Sequence, residues 1–171
     1  MKNCTMFATL TANGFIADFN GDEDIFSDDN WNLFVELANK HKNIIWGRKT
    51  YEMVESWGKE YIDCFNSIKI FVISNSNIKP NRNNVVICKD INELKKELKN
   101  NDIEIPFVSG GTSIYTLFFK NDLINKIIFS YNSIFISNGI NLFNKEFEIK
   151  NYKIAKCLPI KNNIICIEME K

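Results

Sequence analysis

Through residue 120, short apolar runs in this chain alternate with stretches of helical spacing; beyond it, only strand-like runs follow. Cys4 to Leu10 is apolar without clean alternation, as in a strand covered on both faces. Ala12-Asn13-Gly14 signals a turn, Phe15-Ile16-Ala17 resumes an apolar path, and Asp18 to Asp24 is a polar, acidic loop. Ser27 is placed to cap a helix whose apolar positions are Trp31, Phe34, Val35 and Ala38. Asp28 and Asp29 in its first turn and Lys40 to Lys42 in its last suit the helix dipole. Asn43 to Trp46 reads as a second strand, followed by Gly47-Arg48-Lys49-Thr50 and a helix through Tyr51 to Val54.

Ile68 to Ser74 and Val85 to Cys88 are further strands, rich in β-branched residues and separated by a polar loop. Ile91, Leu94 and Leu98 mark an amphipathic helix. Ile105, Phe107 and Val108 predict a buried strand; Gly110-Gly111 follows, then a helix carrying Ile114, Leu117 and Phe118. Ile124 to Ile136 is a long strand-like run. Tyr152 to Ile160 and Ile164 to Glu170, either side of Lys161-Asn162-Asn163, predict a terminal antiparallel hairpin. Alternation asks for a parallel sheet with helices on both faces; strands without crossovers then make the sheet mixed. No linker or repeat divides residues 1–171, which are expected to form one α/β domain.

Composition narrows the classes. Lys plus Arg and Asp plus Glu are equal at 21 each, which gives no electrostatic reason for a nucleic-acid or acidic-membrane partner. Five scattered cysteines and one histidine form no zinc-ligand set, so no metal is expected, and they suit reduced thiols in the cytoplasm. Residues 1–5 run directly into strand-like sequence, so no signal segment or membrane span is expected. Richness in Asn, Ile and Lys points to an AT-rich genome, which lowers the weight of asparagine as a turn signal.

The chemistry concentrates at two strand–glycine–helix junctions. Glycine permits a sharp turn and close ligand approach, and the first amides of a helix point outward without internal partners. At Gly110-Gly111 this serves a tight corner or a phosphate seat equally well. At Gly47, Arg48 and Lys49 stand at a helix start, where cations oppose the dipole, so an anionic ligand is favoured. No Gly-x-Gly-x-x-Gly follows the first strand, which argues against a general dinucleotide-binding dehydrogenase.

Leu10-Thr11-Ala12-Asn13-Gly14-Phe15-Ile16-Ala17, Gly47-Arg48-Lys49-Thr50-Tyr51-Glu52 and Val108-Ser109-Gly110-Gly111-Thr112-Ser113-Ile114-Tyr115 together resemble the dihydrofolate reductase-like superfamily. The similarity is greatest to the reductase domain of riboflavin biosynthesis and its stand-alone relatives. It implies a three-layer fold and an NADPH-dependent reductase of a small molecule. By that resemblance, Gly47, Arg48, Lys49 and Thr50 hold the adenosine-side phosphates, with the 2′-phosphate favouring NADPH over NADH. Ser109, Gly110, Gly111, Thr112 and Ser113 wrap the pyrophosphate. Ser74 and Asn75 flank the adenosine, Thr9 and Ile16 lie along the nicotinamide, and Tyr115 packs beside that ring or in the core.

Reduction of a C=N or C=O group also needs one proton. The candidate acids are Asp29, favoured because folate reductases carry their acid on this helix, and Asp24; both also have a plain reading as loop or first-turn acids. The implied substrate is a pyrimidine or pteridine type, or a ribosylamino-pyrimidinone phosphate. Two alternatives stand beside it: dihydrofolate reductase itself, and a non-catalytic NADPH-binding protein of the same fold. The first lacks support at Cys64 to Lys69, where an arginine for the folate tail is absent. No deaminase motif (His-x-Glu, Pro-Cys-x-x-Cys) occurs. The apolar run Ile127 to Ile136, with Gly139 and Leu142-Phe143, is expected to pair two copies in a homodimer.

Overall fold

The computed structural model describes residues 3–161 and 163–171, so Met1, Lys2 and Asn162 of the predicted hairpin turn lie outside the described residues. The elements in order are β1 (Cys4–Thr11), β2 (Phe15–Asp18), α1 (Asp28–His41), β3 (Asn43–Gly47), α2 (Arg48–Trp57), α3 (Lys59–Asp63), β4 (Lys69–Ile73), β5 (Val85–Cys88), α4 (Ile91–Asn100), β6 (Phe107–Val108), α5 (Thr112–Lys120), β7 (Ile124–Asn132), β8 (Gly139–Asn141), β9 (Lys153–Lys161) and β10 (Ile164–Glu170). Eight strands form one sheet in the order β5-β4-β3-β6-β1-β7-β10-β9. The six from β5 to β7 are mutually parallel; β10 and β9 complete the sheet antiparallel, as the hairpin predicts.

Strand alternation sorts the core into two layers. On β1, Cys4, Met6, Ala8 and Leu10 pack with Leu94, Leu98, Ile114 and Phe118 of α4 and α5. Phe7 points the other way, into Phe34 and Ala38 of α1, Tyr51 and Val54 of α2, and Ile62 of α3. Burying a large apolar side chain contributes about 1.5–3 kcal/mol, so these two layers carry most of the stability.

Buried asparagines tie elements together. Asn43, with no exposure, accepts from the Phe107 amide at 2.9 Å and donates to the carbonyls of His41 (2.8 Å) and Ile105 (3.0 Å). It thereby joins the end of α1, β3 and the entry to β6. Asn30 of α1 donates to Asn132 at 2.8 Å and accepts from Ser130 at 2.7 Å, which fixes α1 to β7. All three are buried, so each bond replaces a desolvation cost.

Three expectations change. The run from Ile124 to Ile136 ends as a sheet strand at Asn132, and β8 turns away to pair with β2 in a two-stranded ribbon. Ile105 is 48% exposed and lies before β6 rather than in a buried strand. β7 is flanked by β1 and β10 inside the sheet, with Ile127, Ile128 and Phe129 buried, so its apolar character serves the core. Of the expected pairing run, Ile127 to Phe129 are thus buried, while Phe135 is 77% exposed.

Candidate active site

The carboxyl ends of the parallel strands gather the predicted ligand-binding junctions. Registers Met6↔Val108, Ile45↔Val108 and Gly47↔Ile73 place Ser109, Gly47 and Ser74 along one edge of the sheet. Chain order reverses here, because β6 returns to lie between β1 and β3, and open α/β sheets take ligands at such a point.

The two glycine junctions are joined. The Gly47 amide donates to the Gly110 carbonyl at 2.8 Å. A Cβ on Gly111 would stand 3.1 Å from Thr50 Oγ1, and one on Gly110 would stand 3.3 Å from the Tyr115 hydroxyl. Gly110 has φ 115°, a conformation that side chains rarely adopt. Glycine is thus required for the approach of the β6–α5 turn to the start of α2. Neither α2 nor α5 receives a side-chain cap. Two sets of unpartnered helix-start amides therefore open onto the same edge, a donor set chemically suited to a diphosphate.

Beside this edge lies a cavity of about 360 Å³, within the range of small-molecule sites. Of the residues singled out in the sequence, Thr9, Ile16, Thr50, Ser109, Gly110, Gly111, Tyr115 and Asp24 all line it. Tyr115 is buried and donates its hydroxyl to the Phe7 carbonyl at 2.8 Å, with burial pushing its pKa upward and the nearby Glu23 charge adding to it. It therefore acts as a wall that orients β1, as well as facing the cavity.

Other predicted residues stand outside the lining. Arg48 pairs with Glu52 at 2.7 Å along α2, and Lys49 is exposed, both beside the helix start. Ser74 caps the following turn, its Oγ accepting the Ser76 amide at 3.0 Å, and Asn75 is exposed next to it. Thr112 donates its hydroxyl to the Asn141 carbonyl at 2.7 Å, and Ser113 accepts from Asn144 at 3.2 Å. Those side chains hold the β8 segment, leaving their amides to face the edge.

Asp29 is a correction. It pairs with Lys161 Nζ at 2.6 Å, and it does not line the cavity. The half-buried acid of the cavity lining is instead Glu23. Its loop is folded by its own aspartates: Asp18 Oδ1 accepts the amides of Asn20 and Asp22, and Asp22 Oδ1 accepts the amide of Asp24, each at 2.8 Å. Those backbone bonds, that from Asp22 foremost, hold the Asp18 carboxyl below the usual carboxylate range. The Phe26 amide then closes on the Glu23 carbonyl at 2.9 Å, and Glu23 is turned toward the cavity. Glu23 is half-buried, and burial, with the adjacent Asp22 charge, pushes its pKa up to about 7. Asp24 and Asp28 stand at the outer lining.

The far wall is aromatic. Trp31 of α1, Trp57 of α2 and Tyr61 of α3 meet edge to face, with centroids 5.3–5.7 Å apart. Among the described residues no cluster of side chains fits a metal ion. No helix among them is long and apolar enough to cross a membrane.

No family model matches the chain. An uncharacterized protein of Bacillus subtilis (strain 168), YyaP, is 24% identical over 170 residues, covering 92% of this chain and 89% of its own length. Among solved structures, a candidate riboflavin biosynthesis protein from Shewanella sp. PV-4 superposes with a TM-score of 0.78 at 20% identity, covering 99% of this chain and 98% of that one. A pyrimidine reductase-like protein from Corynebacterium diphtheriae gives 0.77 at 14% identity, over 99% and 91%. RibD of Acinetobacter baumannii gives 0.79 at 13% identity; the match covers 99% of this chain but only 58% of that protein. Sheet order, glycine junctions and these superpositions agree: the chain has the fold of riboflavin-pathway pyrimidine reductase domains.

Proposed function

We propose that this protein is an NADPH-dependent reductase that delivers a hydride to a C=N or C=O group of a small planar substrate, in the manner of riboflavin-pathway reductases. The observation that carries this reading is the joined pair of glycine junctions, two uncapped helix starts on one sheet edge, directly beside a cavity lined by the half-buried Glu23. Gly47, Thr50 and Ser109 to Ser113 hold the diphosphate, and Arg48 with Lys49 receives the 2′-phosphate. Thr9 and Ile16 flank the nicotinamide. When bound, NADPH supplies the hydride.

Glu23, rather than Asp29 or Asp24, holds the proton. With a pKa near neutrality it is protonated in about half of the molecules at pH 7, which suits a general acid. It gives that proton to the heteroatom of the acceptor double bond as carbon takes the hydride. It is recharged from solvent through the open side of the cavity. The test is NADPH oxidation against a panel of pyrimidinones, pterins and dihydrofolate. Substrate-dependent oxidation that drops at least tenfold in Glu23→Gln supports the reading. Cofactor binding without turnover of any acceptor favours a non-catalytic protein.

We also propose a homodimer, formed through β9 rather than β7. β9 is an edge strand exposed along its whole length, with Ile154 at 69%, Leu158 at 41% and Ile160 at 37%. Ile165 of β10, 48% exposed, adjoins it. The open edge carries these exposed apolar residues among Lys153, Lys156 and Lys161, and a two-fold axis sets β9 antiparallel to its own copy.

A further inference from the structure

We infer that the pocket selects a neutral or cationic planar ring and excludes phosphorylated and other anionic substrates, an inference that rests on the reductase reading above. The charge of the lining has one sign. Glu23, Asp24 and Asp28 are its only charged members, and no Lys or Arg lines it among the described residues. Neither arginine of the chain serves the pocket: Arg48 is assigned above to the cofactor's 2′-phosphate, and Arg82 is held by Asp63 and Asn66, each contact at 2.7 Å. Lys161, close to the start of α1, is held by Asp29 at 2.6 Å. A substrate phosphate or a folate-type carboxylate tail would enter facing carboxylates, with no bidentate donor to receive it.

The wall opposite the glycine turns adds a positive preference. Trp31, Trp57 and Tyr61 line the cavity as half-buried rings, so a flat guest meets aromatic surface. Indole faces attract cations, and the effect grows with desolvation. Glu23 shares the lining as a hydrogen-bond partner for ring nitrogen, donating when protonated and accepting when ionised. Aromatic wall and carboxylates together recognise an electron-poor nitrogen heterocycle.

The test measures binding to the full chain saturated with NADPH, by quenching of tryptophan fluorescence. Three probes of one shape differ in charge: 1-methylquinolinium, 1-methyl-2-quinolone and quinoline-2-carboxylate. A second pair, uridine and uridine 5′-monophosphate, differs only by phosphate. The expected order is cation at or above neutral, and neutral at least tenfold tighter than anion. The phosphate is expected to weaken uridine at least tenfold. Asp28→Asn and Glu23→Gln should each narrow the gap between cation and anion, and added salt should narrow it too. Equal or tighter binding of the anion or the phosphate overturns the inference, as does failure of every probe to bind. Because the assay needs no turnover, either result is separate from failure of the reductase reading, which would appear as absence of NADPH binding before any probe is added.

Discussion

Replacing Glu23 by glutamine should stabilise the protein at about pH 8 and leave it unchanged at about pH 4. The Glu23 carboxyl ordinarily titrates at 4.5 and is pushed up to about 7, chiefly by enclosure and then by Asp22. Between those values the folded protein keeps a proton that the unfolded chain has released. The contribution is therefore full below 4.5, is lost as pH rises toward 7, and stays lost above it. At about 1.4 kcal/mol per pH unit, the gap comes to about 3 kcal/mol, an upper figure because water in the open cavity screens the charge. Glutamine keeps the shape and cannot ionise, so it removes that penalty.

The comparison must be variant against wild type at each pH. His41 is half-buried, and burial lowers its pKa below 6.5. It contributes stability above 6.5 that is lost as pH falls, the opposite slope in an overlapping window, and it cancels in the difference. Asp18, Asp63, Asp90 and Asp122 are held low and act only below about pH 4. Urea unfolding followed by tryptophan fluorescence from about pH 4 to about pH 8 is the assay. A difference that grows across the window and levels off near 7 supports an enclosed acid. Parallel curves for variant and wild type would refute the enclosure, and with it Glu23 as proton donor.

Further outcomes follow from other parts of the molecule. Asn43→Ala leaves the buried Phe107 amide without its partner and takes a donor from two part-buried carbonyls, and should cost about 1–3 kcal/mol by urea denaturation; a loss under about 0.5 kcal/mol contradicts the latch between α1, β3 and β6. Gly110→Ala forces a side chain to φ 115° and should cost about 1–3 kcal/mol while weakening NADPH binding; a neutral effect on both contradicts the required glycine. Light scattering should give twice the chain mass, and Leu158→Lys with Ile160→Lys should return it to one; monomer mass in the wild-type protein refutes the β9 dimer.

The strand and helix alternation was legible because each element buries one face at its own period, and β1, β3 and β4 are apolar enough to mark themselves. The glycine junctions were legible for the same reason: few residues other than glycine fit there. The acid was not. Asp29 sits at the expected helix start, yet its partner, Lys161, comes from the far end of the chain. Glu23 turns inward only because Asp18 and Asp22 fold the loop onto its own amides. The run of acids from Asp18 to Asp24 is the only local signal, and it does not say which acid ends at the cavity.

Composition also misled. An asparagine-rich chain invites discounting asparagine, yet Asn30, Asn43 and Asn132 are buried ties between distant elements. The strand expected at the dimer surface is apolar because Ile127 and Phe129 enter one core layer and Ile128 the other. Nothing local in the sequence distinguishes a strand with two neighbours from one with a vacant side. The aromatic wall escaped notice because Trp31, Trp57 and Tyr61 come from three separate helices.

Calorimetric titration of the purified protein with NADPH and with NADH tests the central claim most directly. The joined glycine junctions, with Arg48 and Lys49 at the start of α2, predict one NADPH site per chain and at least tenfold weaker binding of NADH. Arg48→Ala with Lys49→Ala should erase most of that difference. Equal affinities for the two cofactors, or no heat from either, would contradict the account.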